Sequence, residues 1–363
     1  MAFRLLHFAD LHLDRSFAGE RLHGIGAQRR RDDLRAALLR ILDRARESEC
    51  DLITCAGDLF EQDHITRETA MFVIEAFASA GRPVLIAPGH SDPALPSSPY
   101  RYLRWPANVT IATQETLQPY RFGPVAVWSA GANRLEPSAS PLRDFQRIEG
   151  GVNLLLLHAS DMNALPAGVT PLAPIVASQV QDCGFGHALL GHHHEGIRGP
   201  WITYPGSPEP LGWEEPGAHC VAMVSIDDGG VIEVALEPVN QRRFAEVRVD
   251  VTGMTTRDQV RQAILGLCAG SGLDGAVVRA TLTGERARAI DLDPQALAVE
   301  CGDGFAYLDF QDETRSPHDL DLLGQEFTSR GEFVRRLMDR EASQEAAGAT
   351  GRAIQLTLDA FDA

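Results

Sequence analysis

The chain has 363 residues, of which 44 % are hydrophobic, and a formal net charge of −17. That length exceeds a single ordinary core and suits a large domain plus a smaller one, while the lack of any apolar run near the roughly 18 residues of a span excludes a membrane-crossing helix. The acidic balance argues against a protein that grips nucleic acid by bulk charge alone, because phosphate contacts dominate such affinity; a local basic face is still open to it.

The opening residues lack the long apolar stretch of a secretory signal. Cys50, Cys55, Cys183, Cys220, Cys268 and Cys301 are scattered with no C-x-x-C pair. That spacing speaks for a reducing cytoplasm and against a disulfide framework or thiolate zinc site.

In chain order, Leu5–Phe8 reads as a buried strand, and residues 28–48 as an amphipathic helix with Leu34, Leu38, Leu39 and Leu42 on one face. Arg29, Arg30 and Arg31 at its start read as a solvated helix end. Asp51–Cys55 is the next strand, residues 66–80 a second helix and Pro83–Ala87 a third strand, an order that predicts a sheet with helices outside. Residues 91–106, rich in proline and serine, read as loop. Further strands are expected at Val125–Trp128, Asn153–Leu157, Ala188–Leu190 and Cys220–Ile226, with an edge strand at Val231–Val239. Near residue 241 the pattern changes to strand (Phe244–Val251), helix (256–267) and strand (Ala276–Leu282). This divides the chain into 1–240, 241–326 and a tail, 327–363, that holds an amphipathic helix at Ser329–Glu341. Residues 342–352 are small and polar and read as loose.

Five short elements follow predicted strands: Asp10-Leu-His12, Gly57-Asp58, Pro88-Gly-His-Ser-Asp92, His158 and Gly191-His-His-His194. Each element alone is weak, since most Gly-Asp pairs are turns and a histidine at a strand end is often structural. The ordered set carries the reading, because every member offers carboxylate oxygen or imidazole nitrogen and none offers sulfur. Such donors suit manganese, iron or zinc, and loops at the carboxyl ends of strands are where α/β sheets place their sites. Two divalent ions roughly 3.5–4 Å apart can hold a hydroxide and neutralise phosphoryl oxygens during in-line hydrolysis of a phosphoester. Asp58 is the choice for the bridging carboxylate. Asp10 and His12, two apart in an extended segment, would point the same way, as would His192 and His194, with His193 turned away. His7, His23, His64, His187, His219 and His318 have no such setting.

This order resembles the calcineurin-like metallophosphoesterase pattern D-x-H, G-D, G-N-H-D, H, G-H-x-H. Phe8-Ala-Asp-Leu-His-Leu-Asp14, Ala56-Gly-Asp-Leu-Phe60, Leu190-Gly-His-His-His194, Tyr204-Pro-Gly-Ser-Pro208 and Val278-Arg-Ala-Thr-Leu-Thr-Gly284 resemble the SbcD and YhaO branch of bacterial DNA repair exonucleases. The resemblance implies an α/β sandwich of two sheets flanked by helices, with a smaller α+β capping domain. It implies two divalent metal ions, manganese first with iron or zinc as options. One would be held by Asp10, His12, Asp58 and His194. The other would be held by Asp58, His158, His192 and a ligand from the third motif. It further implies DNA as substrate, an SMC-like ATPase of the SbcC type as partner, and a homodimer as an option.

The third motif departs. Anchored on Pro88-Gly89, His90 takes the place of the ligand Asn and Ser91 that of the histidine that assists the leaving group, with Asp92 aligned. A one-residue shift would instead leave Gly89 in the ligand place and His90 as the retained histidine. His90, Ser91 and Asp92 are therefore the candidate catalytic residues. A serine hydroxyl cannot act as the acid, and a positioned acid contributes about 10²–10⁴-fold. The expected function is a two-metal phosphodiester hydrolase, a DNA exo/endonuclease subunit of an SbcCD-like repair complex. Two alternatives stand: a phosphodiesterase or phosphatase for small or activated esters, and a weakly active or inactive scaffold that binds DNA or the ATPase.

Overall fold

The structure is a computed structural model that describes residues 2–20, 22, 24–131, 139–165, 170–287, 290, 292–302, 304–315, 320–341 and 357. His23, His318 and residues 342–352 lie outside the described residues. The chain forms two compact units, Met1–Phe244 and Ala245–Ala363.

The first unit runs β1 (Phe3–Phe8), α1 (Ile25–Glu47), β2 (Leu52–Cys55), α2 (Arg67–Ser79), β3 (Val84–Ile86), α3 (Pro99–Tyr102), β4 (Val109–Ile111), β5 (Gln118–Phe122), β6 (Val125–Ser129), β7 (Val152–His158), α4 (Ala177–Asp182), β8 (His187–Gly191), β9 (Ile197–Arg198), β10 (Ile202–Tyr204), β11 (Cys220–Ile226) and β12 (Ile232–Pro238). Its strands make two six-stranded sheets, ordered β12-β11-β1-β2-β3-β4 and β5-β6-β7-β8-β10-β9. The runs β1 to β4 and β6-β7-β8-β10 are parallel.

Both faces of the central strands are buried, which is why they read as continuous apolar runs. Phe3 and Leu5 of β1, Val125 and Val127 of β6, Leu154 and Leu156 of β7 and Leu189 of β8 meet in one cluster between the sheets. Leu155, Leu157, Ala188 and Leu190 turn the other way and pack against Val180 of α4, Phe145 and Phe185.

On α1, Leu34, Leu38, Ile41 and Leu42 are buried, but Leu39 is 45 % exposed. At 100° per residue Leu39 lies well off the stripe set by Leu34 and Leu38, and Ile41 fills that face instead. The arginine run is not uniformly solvated either. Arg30 is 1 % exposed and donates to Asp33 Oδ2 at 2.8 Å and to the Pro210 carbonyl at 2.8 Å. Within residues 91–106, expected as loop, α3 forms one turn, started by Pro99 and capped by the Ser98 side chain.

The second unit runs β13 (Phe244–Asp250), α5 (Arg257–Gly270), β14 (Val277–Thr283), α6 (Pro294–Cys301), β15 (Tyr307–Asp312), α7 (Leu320–Gly324) and α8 (Ser329–Glu341). Its sheet is β13-β14-β15, with β14 and β15 parallel. Thr256 and Gln259 cap α5 reciprocally, and its stripe of Val260, Ile264 and Cys268 packs with Val278, Ala280 and Leu282. On α8, Val334 is buried and Arg335 donates to the carbonyls of Gly324 and Glu326. Part of the expected apolar stripe is therefore used within its own unit; the Leu337 side chain lies outside the described residues.

Candidate metal centre

Every candidate site residue sits at or just past the carboxyl end of a parallel strand. Asp10 and His12 follow β1, Asp58 follows β2 and His90 to Asp92 follow β3; His158 ends β7, and His192 and His194 follow β8. The first three groups come from one sheet and the last two from the other. Their ligand atoms converge in three overlapping sets: Asp10 with His12 and His194, His90 with His158 and His192, and Asp10 with Asp58 and His158. Both histidine-rich sets thus draw on both sheets.

Asp58 lies among them. Its Oδ2 is 3.5 Å from His12 Nε2 and 3.0 Å from His90 Nδ1, and its Oδ1 is 3.6 Å from His158 Nε2. Burial opposes its charge, yet the surrounding His158, His90 and His12 hold the carboxyl well below the usual range. Asp10, equally buried and beside Asp58, is pushed up instead. A Cβ on Gly89 would overlap the Asp58 carboxylate, so glycine is required where the loop after β3 passes this residue.

The backbone differs from the extended geometry expected for the D-x-H and H-x-H pairs. Asp10, His12 and Asp58 have φ of 54°, 49° and 51°, and His192 has φ of 106°. The first three occupy the left-handed region, where Asp and His are enriched among non-glycine residues. The chain turns sharply at the ligands, and the His192 N–H folds back to donate to both Asp10 oxygens at 3.0 Å. His193, between two candidate ligands, joins none of the sets and packs edge-on to Tyr204 at 4.7 Å.

The imidazoles are prepared as donors. His12 Nδ1 bonds Glu61 Oε1 at 2.8 Å, His194 Nδ1 bonds Glu215 Oε1 at 2.6 Å, and His158 Nδ1 donates to the Ala56 carbonyl at 2.8 Å. Such partners fix the ring and leave its other nitrogen as a lone pair, as around metal-ligating histidines. His12 Nε2 and His192 Nδ1 are buried without a hydrogen-bond partner. An orphaned polar atom in that position costs free energy unless something is bound to it. Burial lowers His158 to about 4 and, with His158 and His90 adjacent, His192 to about 3, favouring the neutral rings that bind metals. His194 goes the other way: burial opposes its charge, but Glu215 and Asp10 raise it to about 8.

Glu61 and Glu215 are not legible as site residues in the sequence. Glu61 directly follows the Gly57–Phe60 stretch, whereas Glu215 reaches His194 only because the chain between them folds back. Ser207 in that return donates from its backbone to the His194 carbonyl at 3.0 Å and from its hydroxyl to Glu215 at 3.2 Å.

In the third motif, His90 Nδ1 lies 2.9 Å from His158 Nε2, inside the cluster, and Gly89 has no side chain to offer. Ser91 donates to Asp58 from both its backbone N–H and its hydroxyl, each at 2.9 Å. Asp92 does not take the catalytic place expected of it. Its fully buried carboxylate accepts from the N–H groups of Asp58, Leu59 and Gly89 and from the Tyr100 hydroxyl, at 2.6–2.9 Å, so it acts as a brace under Asp58. A cavity of about 490 Å³ borders His158 and Pro88, with Arg143 and Phe145 on its wall.

The chain belongs to the calcineurin-like phosphoesterase family, whose pattern it matches over residues 3–196. It is a phosphoester hydrolase by family, and the donor set fits the two-metal centre on which that family depends. Among curated proteins it is 26 % identical to the DNA double-strand break repair protein Mre11 of Methanopyrus kandleri, over 72 % of this chain and 62 % of that one. It is 24 % identical to Mre11 of Haloferax volcanii, over 82 % and 65 %, and 23 % identical to the metallophosphoesterase YhaO of Bacillus subtilis, over 68 % and 63 %. The chain thus spans a little under two thirds of the length of these relatives.

Among the described residues no helix is long and apolar enough to cross a membrane, and all six cysteines are free and buried.

Proposed function

We propose that this chain is a two-metal phosphodiesterase acting on DNA, the nuclease subunit of a cytoplasmic SbcCD-like complex with an SMC-type ATPase as partner. The observation that carries the hydrolytic part is the meeting of carboxylates and lone-pair imidazoles from two sheets, backed by Glu61 and Glu215. The DNA part is supported by the Mre11 relatives, described as DNA double-strand break repair proteins. In this reading Asp10, His12 and His194 hold one ion, His90, His158 and His192 the other, and Asp58 is shared. Manganese is the first choice for both on resemblance. When bound, the pair would neutralise phosphoryl oxygens and make a water acidic enough to attack near neutral pH.

The chain's own residues do the rest. Asp92 holds the Asp58 loop, Ser91 fixes the Asp58 rotamer, and the cavity beside His158 gives room for substrate next to the centre. In this reading residues 241–326 are the capping domain.

The Ser91 geometry favours a second reading. Its hydroxyl is committed to Asp58 and is no substitute for an imidazole acid, so esters with good leaving groups would be cleaved more readily than DNA. The test is hydrolysis under Mn²⁺ of labelled single- and double-stranded DNA against bis-p-nitrophenyl phosphate, with and without the ATPase, using Asp58→Ala as control. Cleavage of DNA that is lost in the variant supports the nuclease. Cleavage of the aryl ester alone, even with the ATPase, supports the second reading, and no turnover of either supports a scaffold.

A further inference from the structure

Resting on the two-metal reading, we infer that His90 turns one half of the centre into a three-imidazole pocket whose preference for zinc or ferrous iron over manganese exceeds that of the other half. The two halves differ in donor chemistry. One offers the Asp10 oxygen with two imidazoles, His12 and His194; the other offers three imidazoles, His90, His158 and His192. Asp58 approaches both.

The nitrogen-rich half is shaped for a cation that prefers nitrogen. His158 gives its Nδ1 proton to the Ala56 carbonyl, so the Nε2 facing His90 is a lone pair. His90 Nδ1 stands 2.9 Å from that nitrogen and 3.0 Å from Asp58 Oδ2. His192 Nδ1 is buried without a partner at all. The three rings bring nitrogens within 4.8 Å of one another, and a cation bound there would take the His158 Nε2 lone pair and displace the proton that His90 Nδ1 holds between His158 and Asp58.

An amide at position 90 would present a neutral, harder oxygen. Imidazole in its place adds a borderline donor, and divalent affinity at nitrogen sites rises from manganese through iron to zinc. The carboxylate-containing half retains donors that manganese accepts. His90 is thus a metal-selecting residue rather than a neutral exchange of one ligand for another.

The test counts metal rather than turnover. Full-length protein is stripped with chelator and dialysed against equal Mn²⁺ and Zn²⁺. Bound ions are measured by mass spectrometry, and the experiment is repeated anaerobically with Fe²⁺. Wild type should hold more zinc than manganese. His90→Asn should lower the zinc-to-manganese ratio, whereas His12→Asn, on the mixed half, should leave that ratio unchanged or raise it. Circular dichroism confirms that each variant is folded. An unchanged zinc-to-manganese ratio in His90→Asn, or zinc lost from His12→Asn but not from His90→Asn, overturns the inference. Wild type that binds no metal overturns it together with the two-metal reading, whereas metal bound as expected without any ester hydrolysis sinks the proposed function alone.

Discussion

Glu61 Oε1 lies 2.8 Å from His12 Nδ1, and this contact decides which nitrogen of His12 faces the cluster. The carboxylate accepts the Nδ1 proton and leaves Nε2 free for a metal. Outer partners of this kind typically carry about 10–100-fold in metal affinity. Glu61→Ala should weaken binding by that range in titration calorimetry, and Glu215→Ala should do the same through His194. An affinity equal to wild type in both variants would remove these carboxylates from the centre.

Asp92 should behave as a brace. Asn at this position replaces one acceptor oxygen by an N–H₂ group facing backbone N–H donors, which leaves buried groups unsatisfied. Asp92→Asn should cost about 1–3 kcal/mol in denaturant unfolding, and Tyr100→Phe, which removes one of the four donors, about 1 kcal/mol. Metal affinity should fall with Asp92→Asn, because the Asp58 and Leu59 N–H groups that set the bridging loop both rest on it.

Ser91→His should restore an acid beside the leaving group. The expected gain is about 10²–10⁴-fold on an unactivated phosphodiester and little on bis-p-nitrophenyl phosphate, whose leaving group needs no proton. An equal change on both substrates would show that position 91 acts through Asp58 rather than as a proton donor.

His7 makes stability depend on pH. Burial, the largest cause, lowers it from 6.5 to about 4, although its Leu190 and Thr54 contacts oppose the shift. The folded state therefore holds fewer protons than the unfolded chain between those values. Its contribution is complete above pH 6.5 and is lost as pH falls towards 4, by on the order of 3 kcal/mol at most. His187, also lowered to about 4 by burial, adds a loss of the same sign. In urea unfolding of chelated protein, His7→Gln should lose less stability between pH 7 and pH 4 than wild type. Parallel curves would show that His7 does not titrate in that window.

The candidate ligands and central strands were legible because both leave marks in the local sequence. A strand buried on both faces, such as β7, carries an apolar run, here Leu154–Leu157, and the residue at which that run stops is where a candidate ligand is found. Elements with little apolar content left weaker marks: β9 is two residues long and β5 is exposed along much of its length. Pairings across the fold left none. Nothing near Glu215 announces His194, and nothing near Asp92 announces that three backbone N–H groups will point at it. The left-handed backbone at Asp10, His12 and Asp58 was also hidden, since spacing alone cannot distinguish an extended pair from a turned one.

His7 has a second consequence, and it concerns distance rather than acidity. The ring spans the space between the sheets, with Nδ1 on Thr54 Oγ1 at 3.0 Å and Nε2 on the Leu190 carbonyl at 3.2 Å. Thr54 and Leu190 stand just before the loops that carry Asp58 and His192. Each half of the centre takes donors from both sheets, so a slide of one sheet over the other would open both halves at once. The polar tie at His7 works as a caliper. It makes the spacing of the two halves of the candidate centre a property of the interior, one that substitutions deep between the sheets would alter without touching a candidate ligand.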